Sequence, residues 1–219
     1  MRNKLKALLH HSGAAQKGWL SIPSGYSAEL MAGVGWDSIT VDLQHGVQDY
    51  LSMISCLKGI VATQITLVVR VPENSAGIIG KVLDAGAWGV IYPMINTPDE
   101  ARSFVSNCLH PPQGSRSNGP NRAIAYSDSA PYQLFANVEV LVIPVIETAE
   151  AVDNLEATVD VPGVSGVYVG LSDLGFSLGL GPAFRPFRTE NLGGLRADGH
   201  GDAQAWPAPR VCARWVFAS

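Results

Sequence analysis

The sequence predicts an α/β protein of the (β/α)8-barrel type, incomplete, with six βα units recognisable in its 219 residues. Three observations carry this reading. Apolar runs of strand length alternate with helical patterns along most of the chain. Two of the runs, VEVLVIPVIE (138–147) and VSGVYVGLSDL (164–174), show no polar alternation, which marks parallel strands covered on both faces. No G-x-G-x-x-G loop follows the first strand, so a barrel is favoured over a doubly wound dinucleotide-binding sheet.

In chain order, 5–9 is a short helical start and 18–22 the first strand, ended by Pro23-Ser24-Gly25. A helix over 26–32 closes at Gly33. Strand two covers 38–42 and leads into the polar segment Leu43-Gln44-His45-Gly46. A helix over 50–60 precedes strand three, 66–71, stopped by Pro72. A helix over 75–84 places Ile78, Ile79, Val82 and Leu83 on an apolar stripe before strand four, 89–93. Thr97 with Pro98 behind it reads as an N-cap with proline at the first helical position, and that helix runs to Cys108. Between the two long runs, TAEAVDNLEATVDVPG (148–163) reads as one helix with Ala149, Val152, Leu155 and Val159 on a face. The joins AGVGW (32–36) and AGAW (85–88) resemble one another, as a repeated βα unit requires.

Two segments break the rhythm. PPQGSRSNGPNRAIAYSDSAP (111–131) is too long for a mere connector and reads as a functional loop or lid. The domain itself is expected over 1–182. The last 37 residues, 183–219, hold five of the ten arginines and show no strand of length and no helical stripe, where a closed barrel needs two more strands.

The chain is 47% hydrophobic and 16% charged, a balance that suits a sheet buried on both faces. A net charge of −4 without a basic stripe argues against nucleic acid, and no run reaches the roughly 20 apolar residues of a membrane span. The apolar part of the N-terminus, Ala7 to Leu9, is too short for a signal-peptide core. Three cysteines (Cys56, Cys108, Cys212) without metal-ligand spacing read as reduced thiols, and the expected location is the cytoplasm.

Parallel strands deliver their C-terminal residues to one edge, where barrels of this type gather chemistry. That edge collects Asp42 and His45 (strand two), Arg70 (strand three), Glu147 (strand five) and Asp173 (strand six). Two carboxylates suit a hard divalent cation that keeps waters and takes further ligands from substrate. Glu147 could instead serve the start of the next helix, and Arg70 could pair with Glu73. An arginine fork also matches a substrate carboxylate. His45 can be a base or a surface histidine; Asp42 can orient it, orient a metal-bound water or accept a backbone amide. Lys4, Lys6 and Lys17 precede strand one, and Lys58 and Lys81 sit in helices. With no strand lysine for a Schiff base, carbonyl activation falls to a Lewis-acid metal.

The motifs VDLQHG (41–46), VRVP (69–72), VLDAGA (82–87), YPM (92–94), PPQGSR (111–116), VIET (145–148) and VGLSDL (169–174) resemble, in order and spacing, those of the HpcH/HpaI aldolase/citrate lyase family. The likeness covers about residues 5–182 and is greatest to the 2,4-dihydroxyhept-2-ene-1,7-dioate, or 2-keto-3-deoxy acid, aldolases of that family. It implies a class II aldolase on a modified barrel, forming or cleaving 2-keto-4-hydroxy acids through a pyruvate enolate. It implies a divalent metal (Mg2+ or Mn2+, with Co2+ or Zn2+ as alternatives) on Glu147 and Asp173. It also implies pyruvate held by Arg70 and by amides near Ser172 and Asp173, His45 as the catalytic histidine, and Asp42 and Asp84 as acids associated with it. The partners implied are pyruvate, an aldehyde and further copies of the chain in a hexamer. Val145 stands where the family often has glutamine, and Leu171-Ser172 replaces the commoner Pro-x before Asp173. The tail matches nothing in the family; its Arg/Pro/Gly/Ala/Trp content is what out-of-frame reading of GC-rich DNA yields. A frameshifted or truncated gene is therefore expected, with a barrel left open between strands six and one. Two other readings stand beside this one, a non-catalytic remnant and a citrate-lyase-like C–C lyase, although no feature asks for coenzyme A.

Overall fold

The computed structural model describes residues 3–11, 14–63, 65–126, 131–180 and, as backbone, 211–213. Its strands are β1 (Lys17–Leu20), β2 (Ser38–Asp42), β3 (Thr66–Arg70), β4 (Gly89–Tyr92), β5 (Leu141–Ile146), β6 (Gly166–Val169) and β7 (Val211–Ala213). They form one parallel sheet in the order β1 to β7. The helices are α1 (Lys4–His10), α2 (Gly25–Ala32), α3 (Tyr50–Ile60), α4 (Ala76–Asp84), α5 (Pro98–Cys108), α6 (Asn121–Ala125), α7 (Ala136–Glu139), α8 (Ala149–Asp153), α9 (Leu155–Val159) and α10 (Leu171–Ser177).

The sheet curls. Trp19 on β1 meets Tyr168 on β6, ring centroids 5.9 Å apart, although four strands separate their own strands in the sheet. Among the described residues β1 pairs only with β2, so the curl is not closed by strand pairing. Strand alternation sorts the core into two layers. Val68, Ile91, Leu141, Val145 and Tyr168 line the concave side, with Trp19 and Ile143 packed on them. Ile39, Val41, Leu67, Val69, Val90 and Val142 face outward into the helical layer with Met53, Leu57, Ile79, Val82, Leu83 and Phe104.

Helix α1 packs Leu5 and Leu9 onto the concave cluster at the N-terminal mouth. Asn3 caps the helix and ties it down, its side chain donating to the carbonyls of Trp88 (3.1 Å) and Glu139 (2.8 Å). The N-cap expected at Thr97 is a full capping box with Glu100, and Asp49 with Ser52 forms a second on α3.

Several expectations change. The first residues of the 138–147 run, Val138 and Glu139, belong to α7, because β5 begins at Leu141 where pairing with Gly89 begins. The 148–163 helix is two short helices broken at Asn154, whose side chain donates to Asn96 O at 2.9 Å and which is both C-cap of α8 and N-cap of α9. The 164–174 run is strand only to Val169; Leu171 onward is α10. Lys17, expected ahead of strand one, is the first residue of β1. In the 111–131 loop, Arg116 is buried, with Nη2 on Asp84 Oδ1 (2.7 Å) and Nη1 on the Tyr132 hydroxyl (3.2 Å), so this part anchors the fold instead of forming a lid. Of the tail, β7 pairs with β6 where no strand of length was expected. The remaining expectations for 183–219 lie outside the described residues. Cys56 and Cys108 are buried free thiols; burial pushes the Cys108 thiol far up, against the opposing charge of Arg116.

Helices α2 and α3 lie close because Gly59 has no side chain: a Cβ there would strike Gly25 O and come within 3.1 Å of Glu29 N. Gly59→Ala is expected to lower stability by about 1–3 kcal/mol, read as a reduced urea midpoint at unchanged slope. An unchanged midpoint would mean that the two helices can separate at no cost.

Candidate functional site

The register of β2 and β3 sets the first half of the site. Asp42 and Arg70 are direct register partners, each ending its strand at the same edge. Asp42 is buried (1% exposed) and fully engaged. Its Oδ1 accepts from Arg70 Nε (2.8 Å) and from the backbone amides of Gln44 (3.0 Å) and His45 (3.2 Å). Its Oδ2 accepts from Trp19 Nε1 (3.0 Å) and from Arg70 Nη2. Burial opposes ionisation of this carboxyl, but the hydrogen bonds and charge of Arg70, with the His45 amide and the Trp19 indole, hold it below its ordinary range. Arg70 thus pairs with Asp42, not Glu73, and its guanidinium also lies 4.8 Å from the Trp19 ring centroid. Asp42 reaches His45 through the backbone, shaping the turn that carries the exposed imidazole.

The second half is the carboxylate pair. Glu147 directly follows β5 and is 5% exposed. Thr148, not Glu147, caps α8, accepting from the Ala151 amide at 3.0 Å, so helix capping does not account for Glu147. Its Oε1 accepts from the Met94 amide at 2.7 Å. Gly170 presses on its Oε2 and Cβ from the β6 side, where any Cβ would collide. Burial raises the Glu147 pKa, the Met94 hydrogen bond opposes this, and the neighbouring Asp173 carboxylate raises it further, with a weaker lowering by Arg70. Asp173 lies in the first turn of α10, three residues after its N-cap Gly170, so it comes to Glu147 from a helix and not from a strand end as expected. Ser172 is its neighbour in that turn, half-buried.

Glu147 is buried and Asp173 is exposed in the first turn of α10, and the Asp173 charge opposes ionisation of Glu147; together they make a donor set for a hard cation: oxygen ligands, two from protein, the rest open to water and substrate. Among the described residues no group of three or more His, Cys, Asp and Glu side chains is placed to hold a metal ion. The donor chemistry of Glu147 and Asp173 fits a hard divalent cation.

Asp84 is not brought to this cluster within the chain. It ends α4, five residues before β4 begins, at the opposite edge of the sheet, where Arg116 pairs with it. Residues the sequence did not single out contribute instead: Trp19, which donates to Asp42, and Met94, which donates to Glu147. The Lys17 amine is buried 4.6 Å from the Trp19 ring centroid and 5.4 Å from that of Tyr168. Burial, and then the charge of Arg70, depress its pKa strongly, with Asp42 opposing. Contrary to expectation, one strand does carry a lysine. What separates Lys17 from the site is place: it begins β1, whereas Asp42, Arg70 and Glu147 stand at or just past the far ends of their strands. Tyr168, beneath the cluster, is pushed up to about 12 by burial, with Arg70 opposing and the Glu147 and Asp42 charges adding to the rise.

The model of the HpcH/HpaI aldolase/citrate lyase family matches residues 18–183. The 4-hydroxy-2-oxovalerate aldolase of Rhodococcus jostii is 40% identical over 162 residues, 74% of this chain and 63% of that enzyme. The 4-hydroxy-2-oxo-heptane-1,7-dioate aldolase of Escherichia coli is 37% identical over 182 residues, 82% of this chain and 69% of that enzyme. A crystal structure of an HpcH/HpaI aldolase/citrate lyase family protein from Burkholderia cenocepacia superposes with TM-score 0.78 at 35% identity, covering 87% of this chain and 77% of that one. The chain thus spans less than two thirds of the Rhodococcus enzyme that it matches.

Because Glu147 has a raised pKa, its ionisation costs stability once the pH exceeds its folded value, and the cost is absent below the ordinary glutamate range. Glu147→Gln is expected to raise the melting temperature of the metal-free protein at neutral pH, with the gain vanishing in acid. A gain that persisted in acid would locate the effect in packing and not in charge.

Proposed function

The chain belongs to the HpcH/HpaI aldolase/citrate lyase family, and from that premise we propose that it is a class II, metal-dependent aldolase acting on 4-hydroxy-2-oxo acids to give pyruvate and an aldehyde, or the reverse. The observation that carries this reading is the convergence at one sheet edge of an arginine held by Asp42 with a facing carboxylate pair. The names of the relatives supply the substrate class.

Glu147 and Asp173 would hold the cation. When bound, it supplies Lewis-acid polarisation of the 2-oxo carbonyl. Arg70 binds the substrate's developing negative charge: Asp42 engages its Nε and Nη2, which fixes the guanidinium plane and leaves Nη1 for the enolate oxygen. The first-turn amides at Ser172 and Asp173 receive the pyruvate carboxylate. His45, on the turn shaped by Asp42, takes the proton from the 4-hydroxyl. The C3–C4 bond then breaks, its electron pair passes into the pyruvate enolate, and the aldehyde leaves; the enolate takes a proton at its methyl carbon. Lys17 takes no part in this scheme, so no Schiff base is required.

The cation is proposed as Mg2+ or Mn2+. A homo-oligomer is proposed as well, supported by the exposed apolar side chains Tyr26, Leu30, Val34 and Leu51 on α2, its end and α3.

Arg70→Ala and Glu147→Ala are each expected to lower metal-dependent exchange of the pyruvate methyl protons with deuterium by about 10²–10³-fold. Full exchange in either variant would contradict the assignment. His45→Ala is expected to slow aldol cleavage by about 10²–10⁴-fold while leaving pyruvate binding intact, read as a fall in kcat at unchanged affinity for pyruvate.

A further inference from the structure

We propose that Met94 is a positioning residue for the cation site: its backbone commits Oε1 of Glu147 to the Met94 amide, so that Glu147 ligates through Oε2 alone. The inference rests on the reading of Glu147 and Asp173 as metal ligands.

Among the described residues Met94 is the sole non-glycine residue with positive φ, at 55°. Side chains adopt this region rarely and at a cost, and such strain concentrates at sites that use it. The Met94 side chain is 47% exposed, so core packing does not force the conformation. The amide shows what the turn achieves: it stands at the end of β4 and donates to Glu147 Oε1 at 2.7 Å, across 53 residues of chain. Gly170 lies against Oε2 of the same carboxylate and, lacking the Cβ that would cover it, leaves that oxygen open; its own amide is fixed to Ile146 O at 3.1 Å. The carboxylate is clamped between two backbones, and turning both oxygens toward a cation would break the Met94 bond. Groups that orient a ligating carboxylate in this way normally weaken metal affinity substantially when removed.

The test is a titration with Mn2+ alone, followed by electron paramagnetic resonance of the free ion and by calorimetry, on four proteins. These are the wild type, Met94→Asn, Met94→Val, and a protein in which a semisynthetic ester replaces the amide at position 94. Asparagine tolerates positive φ and is expected to bind like the wild type, whereas β-branched valine does not tolerate it. Valine and the ester, which lacks the N–H, are expected to weaken Mn2+ binding by about 10–100-fold with the circular dichroism unchanged. Wild-type affinity in the ester protein would overturn the proposal, as would equal losses in the asparagine and valine variants. Should Met94→Val fail to fold, the ester protein decides alone, since its side chain is unaltered. Absence of Mn2+ binding in the wild type would instead remove the metal reading itself, and this inference with it.

Discussion

Asp42 and Arg70 are opposite one another on neighbouring parallel strands, and the site depends on that registration. Parallel pairing fixes which residues share a level, so the last residues of β2 and β3 meet without any loop having to bring them together. The pair is then locked from three sides by the Trp19 indole, the 44–45 turn and the guanidinium fork. Slipping β3 by one residue would turn Arg70 into the outer helical layer and Val69 into the cavity. The buried Asp42 would then lack the charge that keeps it ionised, a loss that typically costs about 3–5 kcal/mol.

Glu147 is held by different means. Arg70 contributes only weakly to its charge balance; its hydrogen bond comes from a main-chain amide, its wall from a glycine, and the charge that acts on it most is another acid. Without a cation this arrangement is unfavourable, and a bound cation would reverse the sign. The fold therefore holds an anionic pocket beside a fixed cation. That suits a 2-oxo acid, whose carbonyl and carboxylate oxygens need positive charge and whose enolate needs it more.

Much of this was legible in the sequence. Strands of unalternating Val, Ile and Leu with helices between them can only be a parallel sheet covered on both sides, and the charged residue closing each run marks the functional edge. Asp42, Arg70 and Glu147 do stand at that edge. Asp173 reads as a strand end but stands on a helix, because an apolar run does not reveal where strand becomes helix: VGLSDL continues the hydrophobicity of β6 while its backbone turns at Gly170 into α10. Lys17 was missed because a polar residue at a strand start reads as loop, although its amine tucks beneath an aromatic ring. Met94 could not have been found, since nothing in Pro-Met-Ile announces a left-handed backbone. Asp84 carried the family's motif, yet the topology of one chain sends the end of α4 to the far edge, a fact only the three-dimensional path contains.

The proposed activity requires that Glu147 and Asp173 share one cation. Crystals of the full chain grown with Mn2+ and pyruvate, measured at the manganese absorption edge, test this directly. One anomalous peak is expected between Glu147 Oε2 and the Asp173 carboxylate, with pyruvate oxygens on it and Arg70 beside them. A peak elsewhere, or none between these two side chains, would contradict it.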